Sequence, residues 1–419
     1  MNPASYLSRF FEIHLLKLKR MANPKFLGLT TCPHHASGNV GDQLITEAAI
    51  KIIKYELGGA EFDIHFREEE FSSRLEYLNS HDAIILFGFS ILESNTRPRH
   101  YRIAENLDKV DLPIIPIGAI HKFFPGTEEE LERRVLQDST RSFLDRVIAN
   151  CPGKKIPIQT EWVGQVLRQN GYDAILTGDP AWYDPDTIGE EFHKPDKIRR
   201  LVFTTPHSGM YSEQAKELLG RLADRYPDAT RTMVLHSAPT GVDRELYEPA
   251  QKAGWNINYA SHDTQNLEMY RESDLHVGYR KHGHLAHLRW RRPSVVLAED
   301  SRAAGLNATL GTAGFRAFES APGKVLGYFG SFGRRLHNRR PVRAVNRISK
   351  TLGFEEPFPT GDGKLLHGSS CSEAVDRTLA FVEQQQSGWE AYDQVKSVID
   401  QTYENGMVPF LKSALGDYY

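Results

Sequence analysis

Short, wholly apolar runs alternate along this chain with longer stretches whose apolar residues recur every three or four positions. The first kind reads as buried strand, the second as amphipathic helix. Phe26 to Thr30 is the first such run, and Asp42 opens a helical stretch that continues through Leu57. Further strands are predicted at Phe62–Phe66, Ala83–Gly88, Pro113–Gly118, Lys155–Gln159 and Ala174–Leu176, with helices at Thr127–Asn150 and Glu161–Gln169. Ala83 to Phe87 reads AIILF, apolar on both faces as a central parallel strand requires.

The alternation starts again after Gly178-Asp179-Pro180, where the Pro- and acid-rich stretch Tyr183–Asp196 reads as a linker. Strands are predicted at Arg200–Thr205, Arg231–Leu235, Trp255–Tyr259, Leu275–Val277 and Ser294–Ala298. Helices fall between them at Ser212–Tyr226, Asp243–Ala253 and Thr264–Arg271. Two successive arrays of this kind predict an α/β chain with two Rossmann-like lobes facing across a cleft. The expected division is 1–22, an amphipathic N-terminal helix; 23–182, a first lobe; 183–199, a linker; 200–320, a second lobe; 321–370, a basic segment; and 371–419, C-terminal helices.

Composition changes this picture little. Of 419 residues, 40% are hydrophobic and 25% charged, which is ordinary for a globular protein. A net charge of −3 gives no global reason to expect nucleic acid. The three cysteines, Cys32, Cys151 and Cys371, are too scattered for a metal pair or disulfide framework and suit a reducing compartment. No apolar run approaches a membrane span, and the N-terminal stretch lacks a signal-peptide pattern, so a cytoplasmic location is expected. Local charge says more. Lys324 to Lys350 carries eight cations and no acid, with Tyr328, Phe329 and Phe332 interleaved. Such a run is either a solvated loop or an anion-seeking surface for a lipid-linked acceptor, a polyanionic glycan or the inner face of a membrane. The helix at 1–22 is open to the same two readings, packing or membrane contact.

Candidate chemistry gathers where strands are predicted to end, the edge at which open α/β sheets bind ligands. Tyr279-Arg280-Lys281-His282-Gly283-His284 follows the Leu275–Val277 strand and precedes a helix, an arrangement suited to an anion. His207 and Ser208 follow another strand, and His236 and Ser237 a third. In the first lobe, His34-His35-Ala36-Ser37-Gly38-Asn39-Val40-Gly41-Asp42 lies between strand and helix, with Ser90 and His121 in later loops. Gly38 and Gly41 allow close approach of a ligand, but the spacing matches neither the dinucleotide nor the P-loop fingerprint. Asp42 alone reads as a helix cap rather than a catalytic acid. His282, His284 and His287 invite a metal reading, but lack the further ligand and supporting carboxylates that zinc sites show, so no metal is expected.

Several of these pieces, in order, resemble the polysaccharide pyruvyl transferase family. Asn39-Val40-Gly41-Asp42 looks like that family's amino-terminal Asn-x-Gly-Asp, and Gly88-Phe89-Ser90-Ile91-Leu92 like its Gly-rich turn. Ile117-Gly118-Ala119, Gly178-Asp179-Pro180-Ala181 and Val277-Gly278-Tyr279-Arg280-Lys281-His282 resemble its later motifs. The likeness spans about residues 25–320. It departs at Gln159-Thr160-Glu161-Trp162, where the family usually shows an Arg-Asp pair, and at Arg302, where a Lys is usual.

The resemblance implies a GT-B-like fold and transfer of pyruvyl from phosphoenolpyruvate to two sugar hydroxyls as a cyclic ketal. Phosphoenolpyruvate is then the co-substrate, with no further cofactor, and the acceptor is a glycan or lipid-linked oligosaccharide. On that reading Arg280 clamps the donor and His282 is the general acid/base, with Lys281, His207, Ser208, His236 and Arg302 also at the donor. His34, His35, Asn39, Gly41, Asp42, Ser90 and His121 face the acceptor. The alternative is a GT-B glycosyltransferase with a nucleotide-sugar donor, for which Glu299-Asp300 offers a ribose-binding carboxylate. A third reading is a non-catalytic glycan- or membrane-binding protein. Oligomeric state is not legible.

Overall fold

The computed structural model describes residues 23–32, 38–123, 128–239, 241–311, 314–317 and 369–416. The expected helix at 1–22, His34, His35 and the basic segment 324–350 lie outside the described residues.

The first lobe is a parallel sheet of four strands, β1 (Lys25–Thr30), β2 (Glu61–Phe66), β3 (Ala83–Phe87) and β4 (Ile114–Ile117), ordered β2-β1-β3-β4. All five residues of β3 are buried, as its apolar sequence dictates. The helix α1 (Val40–Leu57) packs on this sheet. It opens on Asn39, whose side chain accepts from Gly41 N, and closes on Gly58 in the left-handed region at φ 69°. The single helix predicted at Thr127–Asn150 is interrupted, its ordered part being α2 (Asp138–Ile148) after a short turn at Glu128–Leu131. Between them Leu136 N donates to Asn170 Oδ1 and Gln137 N to Glu93 O, both at 2.8 Å, which draws these amides out of any helical ladder. A further helix, α3 (Glu161–Gln169), completes the lobe.

The second lobe holds six parallel strands: β5 (Arg200–Thr204), β6 (Thr230–Leu235), β7 (Asn256–Tyr259), β8 (Leu275–Gly278), β9 (Ser294–Ala298) and β10 (Gly314–Arg316). Their order is β7-β6-β5-β8-β9-β10, so the winding reverses between β5 and β8. The helices are α4 (Ser212–Arg225), α5 (Gly241–Lys252), α6 (Lys281–Arg289) and α7 (Ser301–Leu310). The helix predicted at Thr264–Arg271 is a tight 3₁₀ coil, Thr264–Glu272, that seats Leu267 and Tyr270 in the core.

The predicted linker begins as a buried crossing, since Asp179, Ala181, Trp182, Tyr183 and Asp184 are at most 1% exposed and Pro180 is buried with them. The C-terminal helices α8 (Ser369–Gln385), α9 (Ala391–Thr402) and α10 (Val408–Ala414) return across both lobes. Tyr403 donates to Glu56 Oε1 of α1 at 2.7 Å, and Gly406 lies on the Leu176 carbonyl where no side chain would fit. No helix among the described residues is long and apolar enough to cross a membrane.

Candidate active site between the lobes

The two sheets present their carboxyl ends to one another. In the second lobe the loops after β5 and β8 flank the reversal of strand order, the place where such a sheet opens a crevice for a ligand. Arg280 follows β8 and His207 follows β5. Arg280 Nε donates to Thr205 O at 3.0 Å, and its Nη1 donates to His207 Nδ1. That contact fixes His207 as the tautomer protonated on Nε2. Burial, then the neighbouring Arg280 charge, pushes the His207 imidazole down to about 4, so the ring is neutral at neutral pH.

Glu299, just beyond β9, closes the same corner. Its Oε1 accepts from Ser208 N at 3.0 Å and its Oε2 from His207 N at 2.8 Å. Crowding by the cleft walls pushes its carboxyl up to about 7 although part of it still reaches solvent. Next to it Asp300 caps α7 and grips Arg302, with Arg302 Nη2 2.8 Å from Asp300 Oδ2 and Arg302 Nε 3.1 Å from Oδ1. Lys122 of the first lobe comes within 3.4 Å of the same carboxylate.

The first lobe meets this corner at the start of α1. Val40 N donates to His236 O at 2.9 Å, which joins the lobes by their backbones. A Cβ on Gly41 would run into the ring of His282, so glycine there lets α1 and α6 abut end to end. His282 Nε2 is buried without a hydrogen-bond partner among the described residues, as are His284 Nε2 and His287 Nε2 further along α6. Burial, then the Lys281 and Arg302 charges, holds the His282 imidazole well below the usual histidine range. The amino ends of α1, α6 and α7 thus converge, an electropositive setting for an anion.

Arg280, His282, His207, Ser208 and Arg302 gather at the cleft with Asn39, Gly41 and Asp42. Lys281 turns away from its expected place at the donor. Its ammonium is buried, 2.6 Å from both Asp179 Oδ2 and Gln159 Oε1 of the first lobe. The His236 ring lies in the core, its Nε2 2.7 Å from Tyr270 Oη. His121 is buried too, its Nδ1 donating to Ile91 O at 3.0 Å while its carbonyl accepts from Ser301. Ser90 is held through its amide on Tyr101 Oη at 2.9 Å. Lys122 and Thr205 carried no motif that would have singled them out. Gln159, which stands where the resemblance expects a charged pair, instead supports Lys281. Among the described residues no His, Cys, Asp or Glu group is placed to hold a metal ion.

No family model matches the chain, and no curated protein sequence does. Solved structures with a similar fold include S. aureus MnaA with UDP, at 12% identity and TM-score 0.40 over 86% of this chain and 97% of that one. The UDP-GlcNAc 2-epimerase of Neisseria meningitidis bound to UDP-GlcNAc is similar at 13% identity and TM-score 0.41, covering 86% of this chain and 100% of the other. A glycosyltransferase of Rickettsia africae is similar at 12% identity and TM-score 0.36, over 86% of this chain and 98% of that one.

Proposed function

We propose that this chain is a transferase that binds a nucleotide-sugar donor between its lobes and passes the sugar to a hydroxyl of a glycan or glycan precursor. The observation that carries this reading is Glu299, held at a strand end by the His207 and Ser208 amides within the same corner as Arg280. A carboxylate there can accept hydroxyls of the donor, while the guanidinium and the helix amino ends meet its phosphates. Phosphoenolpyruvate, with a phosphate and a carboxylate, calls for more than one available cation. Of the three expected at the donor, Lys281 is spent on Asp179 and Arg302 on Asp300.

His282, neutral and unpartnered at Nε2, would take the proton of the acceptor hydroxyl as its oxygen attacks the anomeric carbon. The bond from that carbon to the phosphate oxygen breaks, and the nucleoside diphosphate leaves against Arg280 and the start of α6. The same orphaned Nε2 also favours a second reading, pyruvyl transfer from phosphoenolpyruvate, in which His282 deprotonates an attacking sugar hydroxyl.

Thermal unfolding with UDP-glucose, other nucleotide sugars and phosphoenolpyruvate separates the two, because a ligand of the folded state raises its stability. A nucleotide sugar is expected to raise Tm, with Arg280→Ala weakening its affinity about 100-fold through loss of charge-assisted bonds. A rise with phosphoenolpyruvate alone would move the assignment to pyruvyl transfer, and no rise with either would overturn both.

A further inference from the structure

A second cavity, of about 330 Å³, opens away from the strand-end corner, at the far half of α7. Asn307 on its wall lies about 7 Å along the helix from Arg302, at 1.5 Å of rise per residue. Three parts of the chain build it: Glu128 and Trp162 from the first lobe, Asn307, Phe315 and Arg316 from the second, and Arg377 from α8. Its volume lies within the range of small-molecule sites.

The lining has the chemistry of a saccharide site with a preference for negative charge. Trp162 is backed by Phe123, ring centroids 6.3 Å apart and planes 13° from parallel, so the indole is braced as a flat apolar platform. Phe315 supplies a second apolar surface, with the Arg377 guanidinium 5.2 Å from its ring centre. Among the described residues the Arg316 side chain makes no hydrogen bond or ion pair, and Asn307 Oδ1 is buried without a partner. A buried amide oxygen left unpaired costs stability unless something satisfies it, and a hydroxyl donor would do so. Arg316 and Arg377 outweigh the single carboxylate of Glu128, which is itself suited to accept sugar hydroxyls.

We propose that this cavity binds an acidic sugar unit of a glycan, through a carboxylate on Arg316, a hydroxyl on Asn307 and a ring face on Trp162. Binding of that sugar stands alone. Its identity as part of the acceptor, running along α7 into the cleft, rests on the transferase reading above.

Isothermal titration with tetragalacturonate and with neutral maltotetraose tests it on the whole chain. The acidic tetrasaccharide is expected to bind at least about tenfold tighter, the worth of one hydrogen bond to a charged group. Arg316→Glu should remove that preference while leaving UDP-glucose binding and Tm as in the parent, and Asn307→Ala should weaken both sugars. Arg280→Ala should leave tetragalacturonate binding intact. Equal affinity for the two sugars, unchanged binding in Arg316→Glu, or loss of tetragalacturonate in Arg280→Ala would each overturn the site. Failure of nucleotide sugars to bind the parent protein would sink the transfer reading while this cavity kept its ligand.

Discussion

Helix α6 carries two kinds of histidine within six residues. His282, at its first turn, packs against Gly41 of the other lobe, and its Nε2 is buried without a hydrogen-bond partner among the described residues. His284 and His287, two and five residues further on, belong to the core. His284 Nδ1 meets Ser294 Oγ at 2.7 Å, and the same hydroxyl holds His276 Nδ1 at 2.7 Å. His276 Nε2 in turn meets Thr204 Oγ1 at 2.8 Å, while His287 donates to Gly283 O and stacks on Tyr270 with centroids 4.2 Å apart. The first turn of the helix meets the other lobe, and the turn after it is held inside its own lobe. His284 Nε2 and His287 Nε2 are likewise buried without a hydrogen-bond partner among the described residues. The difference is therefore one of place: the His282 ring meets the other lobe, while His284 and His287 are anchored through Nδ1 inside their own.

Lys281 tests that division most severely, because it sits at the cleft end yet behaves as core. Lys281→Met would strand Asp179 as an uncompensated buried charge, costing about 3–5 kcal/mol in denaturant unfolding. Adding Asp179→Asn should recover most of that loss. If Lys281→Met instead keeps its stability and loses donor binding, the ammonium belongs to the ligand and the comparison fails at its boundary.

Acid should break the core end next. Burial pushes the His284 and His287 imidazoles down to about 3, so the folded state holds them neutral. The unfolded chain takes up protons below its ordinary value of 6.5, so stability falls as pH drops from there toward 3. At pH 5 each imidazole accounts for a loss of about 2 kcal/mol. Urea midpoints measured from pH 7 to pH 4 should fall steadily, and a flat profile would mean these rings are already charged in the fold.

The smallest effect lies at the cleft end. With the Glu299 carboxyl near 7, its ionised form grows between pH 6 and 8 and is the stronger acceptor for donor hydroxyls. UDP-glucose affinity should therefore rise by up to about tenfold over that interval, as the ionised fraction grows from about a tenth to about nine tenths, and Glu299→Gln should flatten it. Affinity that falls with pH would place Glu299 beside the donor's phosphates instead of its hydroxyls.

The sequence by itself determined the alternation of strand and helix, the two parallel arrays and the placing of Arg280 and His282 past the end of a strand. These follow from periodicity and from residues adjacent in the chain, because backbone geometry acts over a few positions. It did not separate His282 from His284 and His287, which lie two and five residues further along one helix and look alike on paper. Nor did it show that Lys281 would be claimed by Asp179, 102 positions away. Only the tertiary structure decided that. Which charge remains available to a ligand depends on which partners the packed lobes bring within hydrogen-bond reach, and a buried cation takes the nearest fixed carboxylate because leaving it unpaired is costly.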